Sequence, residues 1–337
     1  MRMEDLLGVN IHPSASMDGW RDRFLDAISK GFVPPIFLYQ GPRSASLWER
    51  LHVQYASASQ DRTAEALYRR LFEWLETVLG SGSVELVSLG CGLAEKEGQW
   101  FEVSGERRIE VQLLDGSFEL VAEAKRRRVH PGFHGEVGAT VADLTSPSLW
   151  RDLARYRAGC PVIYTLFGML PTLAPEFLIP RIGPLLRERD WLLLDANLIP
   201  DSPEYDGTVP PRIVSQYDNP ETREWLLASL AELGIYSNAG SLAFHAQGSL
   251  HRSEVPRIVA SFAFNQTVTV GLFGKSIGFS KERSLRVFRS NRYSVPLLTM
   301  MLEQQGIRVV HVLTSETGED GLLVCRSSPT ASLPGGG

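Results

Sequence analysis

The chain has 337 residues, of which 43% are hydrophobic and 22% charged, with a formal net charge of −5. This composition buries a core without disulfides or metals, and its acidic balance gives no broad positive field for phosphate backbones, which argues against nucleic acid as a substrate. Cys91, Cys160 and Cys325 are odd in number and widely spaced, so they form neither a zinc cluster nor a disulfide framework and suit a reducing cytoplasm. No run of residues approaches the about 18 apolar positions of a membrane span, and a soluble monomer or homodimer acting on a small molecule is expected.

Residues 1–60 are rich in Pro, Gly, Ser and aromatics without a sustained period, and Pro34-Pro35 breaks any helix ending near Lys30. They read as an irregular N-terminal arm that contributes to the active site. From Asp61, a plausible N-cap, the apolar positions Leu67, Leu71 and Leu75 recur at helical spacing until Gly80. Strand signals follow at Val84–Leu89, Ile109–Leu114, Val137–Ala142, Val162–Leu166 and Trp191–Leu194, alternating with helical stretches near Phe118–Arg128, Leu149–Tyr156 and Pro175–Arg187. Short apolar runs separated by helices predict a parallel sheet covered on both faces, hence a Rossmann-like, doubly wound α/β domain over residues 61–200.

Residues 201–326 differ. A helix near Pro220–Leu233 precedes β-branched segments at Arg257–Ala263 and Thr267–Leu272, a helix near Pro296–Gln305, and a strand pair at Val309–Leu313 and Gly321–Cys325. Short turns between strands predict antiparallel pairing that extends the core sheet and carries a smaller α+β cap over the substrate. Residues 327–337 form a low-complexity tail, expected to be disordered.

Gly90-Cys91-Gly92 follows the first buried strand and precedes a helix beginning near Glu95, the setting of a loop that lets backbone approach a nucleoside without a Cβ in the way. Asp115 ends the second strand, where a carboxylate can accept both ribose hydroxyls. Asp143-Leu144 closes the third, where a carboxylate can meet an adenine amine and an apolar side chain can pack on its face. Nicotinamide enzymes share the first two features, but here their third glycine is replaced by Glu95, an anion that disfavours a pyrophosphate. A cationic sulfonium donor tolerates it better.

Leu86-Val87-Ser88-Leu89-Gly90-Cys91-Gly92-Leu93-Ala94-Glu95-Lys96 resembles the donor loop of the histidine-specific S-adenosylmethionine-dependent methyltransferases, a family with ergothioneine-pathway histidine Nα-methyltransferases and dimethylallyltryptophan N-methyltransferases. The similarity runs from about Phe32 to Arg326 through short fragments, among them Phe37-Leu38-Tyr39, Gln216-Tyr217-Asp218-Asn219 and Ser290-Asn291-Arg292-Tyr293. The resemblance implies a class I methyltransferase core, S-adenosylmethionine as the donor, and donor contacts from Tyr39, Gly90, Gly92, Lys96, Asp115, Asp143 and Leu144. It also implies an acceptor pocket at Tyr55, Thr172, Tyr217, Phe288 and Ser290.

Two acceptor positions depart from the family. Its amino-acid-binding asparagine matches Thr172, and a hydroxyl is a poorer bidentate partner for a carboxylate. Its imidazole-binding glutamate falls on Phe288 when Arg292-Tyr293 is matched to the family's basic-aromatic pair; a second register would place Glu282 there instead. The first register fits the distance to Gly306-Ile307 and favours a more apolar acceptor, a small amino-acid-derived or aromatic molecule such as an indole-containing one in specialised metabolism, with histidine Nα-methylation and a non-catalytic donor-binding protein as alternatives.

Tyr217 and His245 are the candidate proton acceptors, although His245 and His251 show no partner in the sequence and also suit exposed or structural roles. Trp150, Trp191 and Trp225 read as core, and Cys91 as a small residue packed under the donor rather than a nucleophile. The run Lys125-Arg126-Arg127-Arg128 reads as a solvated helix end. No nucleophile elbow and no metal-ligand spacing is present, so acyl hydrolysis is unsupported and no metal is expected.

Overall fold

The computed structural model describes residues 8–55, 62–128, 135–156, 158–200, 207–252 and 254–328. The expected cap residue Asp61 and residues 329–337 of the expected tail lie outside them; Ser327 ends the last strand.

The chain begins with β1 (Val9–Ile11), α1 (Met17–Ser29) and α2 (Gly41–Tyr55), joined by a 3-10 turn over Pro35–Tyr39. Residues 8–55 are therefore ordered, contrary to the expectation of an irregular arm. Ser16 caps α1 by accepting the Gly19 amide, and β1 pairs in parallel with the far edge of the main sheet. The strand is too short to show a period, and the apolar face of α1 is broken by charges.

Next come α3 (Arg62–Val78), β2 (Val84–Leu89), α4 (Glu95–Val103), β3 (Ile109–Asp115), α5 (Phe118–Arg128), β4 (Val137–Val141), α6 (Pro147–Arg155), β5 (Val162–Leu166), α7 (Met169–Thr172), α8 (Pro175–Ile182) and β6 (Trp191–Asn197). The remainder comprises α9 (Pro211–Tyr217), α10 (Pro220–Glu232), β7 (Gly240–Gln247), β8 (Arg257–Phe264), β9 (Val268–Leu272), β10 (Lys275–Phe279), β11 (Ser284–Asn291), α11 (Val295–Glu303), β12 (Ile307–Thr314) and β13 (Asp320–Ser327).

The main sheet has the order β1-β4-β3-β2-β5-β6-β13-β12. Its first six strands are parallel, and β13 and β12 add antiparallel beyond β6. Alternate residues of each strand serve opposite faces: Val87, Tyr164 and Leu194 pack with α6, α8 and α11, whereas Leu86, Ile163 and Leu193 pack with α3, α4 and α5. This is a doubly wound, Rossmann-like core, in which the chain order reverses at β2 and opens a crevice at the carboxyl ends of the strands.

Over that crevice sits a third apolar cluster. It joins Phe24 and Ile28 of α1 and Leu47 of α2 to Trp225 of α10, Phe262 of β8 and Leu285 of β11. Its framework is an antiparallel sheet β11-β8-β7, with the hairpin β9-β10 beside it. Strands β7, β10 and β11 went unpredicted because their apolar positions are interrupted by Ser, Arg and Gly, and only part of each strand is buried. At the end of α5, Arg126 and Arg127 pair with Glu123, Arg127 also reaches Glu49 and Glu95, and Lys125 donates to the Gly8 carbonyl, so the basic run ties elements together.

Candidate active site

A cavity of about 700 Å³ opens between the carboxyl ends of β2 to β6 and the third cluster, within the range of small-molecule sites. Its floor is the loop after β2. Gly90 and Gly92 have φ of +78° and +51°, values that a side chain disfavours. A Cβ at Gly90 would lie 2.1 Å from Met169 Sδ, and one at Gly92 would lie 3.1 Å from the Trp48 ring. The amides of Gly90 and Cys91 donate to the Leu114 carbonyl at 2.8 and 3.0 Å, which ties the loop to β3. Cys91 is buried, and burial pushes its thiol well above the usual range; packing is its role.

Asp115 ends β3 and accepts the backbone amides of Gly92 at 2.9 Å and Ser117 at 2.8 Å. Burial raises its carboxyl while these amides oppose the rise, and acceptor positions remain for a ligand. Asp143 is different. It lines the cavity, but Arg23 donates twice to one oxygen (2.7 and 3.3 Å) and Thr145 twice to the other (2.8 and 2.6 Å). With all four acceptor positions filled, Asp143 clamps α1 onto the core, and the expected contact to an adenine amine has no free oxygen lone pair in this arrangement. Leu144 and Ala142 supply apolar surface there.

At the N-terminus of α4 the helix dipole faces protein carboxylates. Glu95 pairs with Arg127 at 3.2 Å. Glu97 is 2% exposed and accepts the hydroxyls of Ser88 at 2.7 Å and Thr165 at 2.8 Å. Lys96 donates to Asp195 at 2.7 Å; the same carboxylate accepts Tyr68 Oη at 2.8 Å and the Gly168 amide at 2.5 Å. Above them His52 stacks on Trp48, ring centres 4.8 Å apart. Burial and the nearby Lys96 charge lower its imidazole to about 4.

The opposite wall is aromatic. Phe288 lies 5.9 Å from the Tyr217 ring and 6.1 Å from Trp225, which in turn lies 5.4 Å from Tyr39. Burial and the nearby Asp115 raise the Tyr39 phenol. Asn197, Tyr217 and Ser290 form a triangle: the Asn197 amide donates to Tyr217 Oη at 3.3 Å and Ser290 Oγ at 3.1 Å, and the two hydroxyls are 3.0 Å apart. One O–H bond joins the hydroxyls, so one hydrogen of the pair stays available to a ligand. Tyr55 stands at the mouth, donating to Glu221 at 2.7 Å.

Thus Tyr39, Gly90, Gly92, Lys96, Asp115, Asp143, Leu144, Tyr55, Thr172, Tyr217, Phe288 and Ser290 all line one cavity. His245 does not: it is exposed on β7 and bonds Gln247, because the outward face of that strand turns it from the site. Glu282 is exposed in the turn between β10 and β11 with φ +69°, which leaves Phe288 as the residue of that pair on the cavity wall. Elsewhere in the motif, Asn291 donates to the carbonyls of Leu170 and Leu173, and Tyr293 to Leu170, so they fix the loop after β5.

Trp48, His52, Glu97, Asp195, Asn197 and Arg289 line the cavity without having been singled out from sequence, and Trp225, read as core, lines it too. Asp195 and Asn197 could have been found: they lie on β6 just past the expected strand end at Leu194, at the carboxyl edge where such folds bind ligands.

No family model and no curated protein matches this chain. Among solved structures it is similar to the methyltransferase CcbJ from Streptomyces caelestis, at 12% identity over 78% of this chain and 90% of that one, TM-score 0.38. It is also similar to magnesium protoporphyrin IX methyltransferase ChlM from Synechocystis PCC 6803 with bound SAH, at 14% identity over 85% and 95%, TM-score 0.42. A structure described as a pericyclic reaction enzyme shows 10% identity over 75% and 47%, TM-score 0.42. Likeness of this degree carries no argument, and the chemistry is argued from the residues of the cavity.

Proposed function

We propose that the chain is an S-adenosylmethionine-dependent methyltransferase for a small aromatic, amino-acid-derived acceptor. The observation that carries this reading is the α4 N-terminus. Its positive end faces Glu95 and Glu97, the second of them buried, so a pyrophosphate would meet fixed negative charge where nucleotide-binding loops offer free amides. The glycine cradle and Asp115 nevertheless suit a nucleoside, and a nucleoside whose reactive group is cationic fits an acidic cradle. Lys96 and Asp195 offer one cation and one anion, the complement of a zwitterionic amino-acid tail.

The donor supplies an already electrophilic sulfonium methyl. The protein's own work is then to position the acceptor and exclude water. Gly90 and Gly92 admit the donor closely, Asp115 accepts its hydroxyls, and Trp48 covers the loop. Tyr217, Phe288 and Trp225 hold an aromatic acceptor, while the Asn197–Tyr217–Ser290 triangle offers a hydrogen-bond donor and free lone pairs at the reacting end. If the acceptor atom is an amine, the oxygens of Tyr217 and Ser290 can accept hydrogen bonds from its N–H and orient the lone pair, and the proton released on methylation leaves to water. His245 is too far outside the cavity wall to take part.

Calorimetry with S-adenosylmethionine and its demethylated product tests the donor half. Asp115→Ala should weaken binding by about 1.5–3 kcal/mol, the cost of losing hydrogen bonds to a charged group. Unchanged affinity removes Asp115 from the site, and tight NAD binding in place of S-adenosylmethionine overturns the reading.

A further inference from the structure

Every carboxylate named at the donor end has a partner inside the protein. At the acceptor end two guanidinium groups line the cavity, Arg289 and Arg292, and among the described residues neither has a carboxylate within ion-pair distance. Arg292 is 5% exposed; Nη1 donates to the Leu198 carbonyl at 2.9 Å, and its buried Nε has no partner. Arg289 donates through Nε to the Thr172 carbonyl at 3.2 Å, which holds the guanidinium beside α7, and among the described residues its two terminal nitrogens have no hydrogen-bond acceptor.

Burial and the neighbouring Arg286 lower the Arg289 guanidinium to about 10, only partly offset by Glu176. It stays charged at neutral pH. A part-buried cation with other guanidiniums near it and its carboxylate neighbour Glu176 beyond ion-pair distance is incompletely compensated, and its planar fork matches a carboxylate in two parallel hydrogen bonds. The backbone bond to Thr172 restricts the side chain, so little ordering remains when an anion arrives.

We propose that Arg289 is a specificity determinant that pairs with a carboxylate, or a chemically equivalent anionic oxygen group, on the aromatic acceptor. The proposal rests on the transferase reading for the word acceptor, and it revises the expectation of a largely apolar one: Thr172 and Phe288 bring no charge to the wall, but Arg289 does. The body of the ligand lies against Phe288 and Tyr217, and its anionic end faces the guanidinium.

The test uses matched acid and amide probes: indole-3-acetate against indole-3-acetamide, and L-tryptophan against L-tryptophanamide. Binding is measured by calorimetry with and without saturating S-adenosylhomocysteine. The wild type should bind the acids about tenfold or more tightly than the amides, the scale of a charge-assisted hydrogen bond. Arg289→Met should cut that preference to roughly threefold or less, Arg289→Lys should keep part of it because the charge survives without the fork, and S-adenosylhomocysteine affinity should not change.

Equal binding of acids and amides by the wild type overturns the proposal, as does failure of either acid to bind or a preference that survives in Arg289→Met. Should Arg289→Met not fold, the wild-type ratio and Arg289→Lys still decide. Failure of the wild type to bind S-adenosylhomocysteine would count against the transferase reading alone, because the acid preference is also measured without it.

Discussion

The two ends of the cavity, the proposed donor end and the proposed acceptor end, solve the problem of burying polar groups in opposite ways. At the donor end Lys96 meets Asp195, Arg23 meets Asp143, and Glu97 meets two hydroxyls, so each charged group is ion-paired or hydrogen-bonded within the protein. At the acceptor end an amide and two hydroxyls are shared around Asn197 beside aromatic rings, with two guanidiniums that meet no carboxylate at ion-pair distance among the described residues. Internal pairing fixes a site in advance, as a common donor requires. Incomplete pairing leaves something for the ligand to satisfy, which is how a site selects one acceptor over another.

The sharpest way to break this contrast is at Lys96. Lys96→Met leaves Asp195 facing the cavity with, among the described residues, only Tyr68 and the Gly168 amide as donors, and breaking a part-buried pair from one side leaves the remaining charge incompletely compensated. A loss of about 2–3 kcal/mol is expected, toward the low end for such pairs because two donors remain. Chemical denaturation measures it. Asp195→Asn combined with Lys96→Met should recover part of the loss; if the single variant is as stable as the wild type, the donor end is not held by this pair.

At the acceptor end, Phe288→Glu puts a carboxylate into the aromatic wall, where desolvation costs several kcal/mol or forces protonation. Turnover of the true acceptor should fall by about a hundredfold, equivalent to roughly 2.7 kcal/mol, with donor affinity nearly constant. Parallel titration and turnover assays separate the two. A large change in donor affinity would mean that the ends are not independent. Tyr217→Phe should cost less, about tenfold or below, because Asn197 and Ser290 keep the rest of the triangle; turnover unchanged in both variants would sink the proposed acceptor wall.

The same contrast explains what the sequence could disclose. The parallel strands β2 and β5 are buried along their whole length, so they read as short, largely apolar runs, and Gly90, Asp115 and Asp143 sit at fixed offsets from strand ends. The donor end was therefore legible, although nothing in the spacing showed that Arg23, from a segment read as irregular, would occupy Asp143. The acceptor end is assembled from α2, α9, β11 and the loop after β5, far apart in the chain. Strand β11 alternates poorly, with Arg286, Arg289 and Ser290 among Leu285, Val287 and Phe288, and carries a bulge between Arg286 and Phe288. Phe288 was found by matching a motif, while Arg289, one residue on, carries no local signal of exposure to the cavity.

The smallest effect concerns His52, which stands beside the Lys96–Asp195 pair and so belongs electrostatically to the donor end. Its imidazole is lowered to about 4 by burial and by Lys96, whereas the unfolded chain titrates near about 6.5. Between these values the unfolded state holds a proton that the folded state lacks, so this residue's contribution lowers stability as pH falls through about 6.5 toward 4 and is neutral above that window. His52→Gln removes the titration while keeping a planar polar group against Trp48. Its stability should therefore fall less steeply than the wild type's between about pH 6.5 and 4, with little difference in slope near pH 8. Denaturant titrations across that range decide the matter. Parallel curves for the two proteins would show that His52 is not held neutral beside Lys96, and would leave the donor end with one fewer group coupled to its central ion pair.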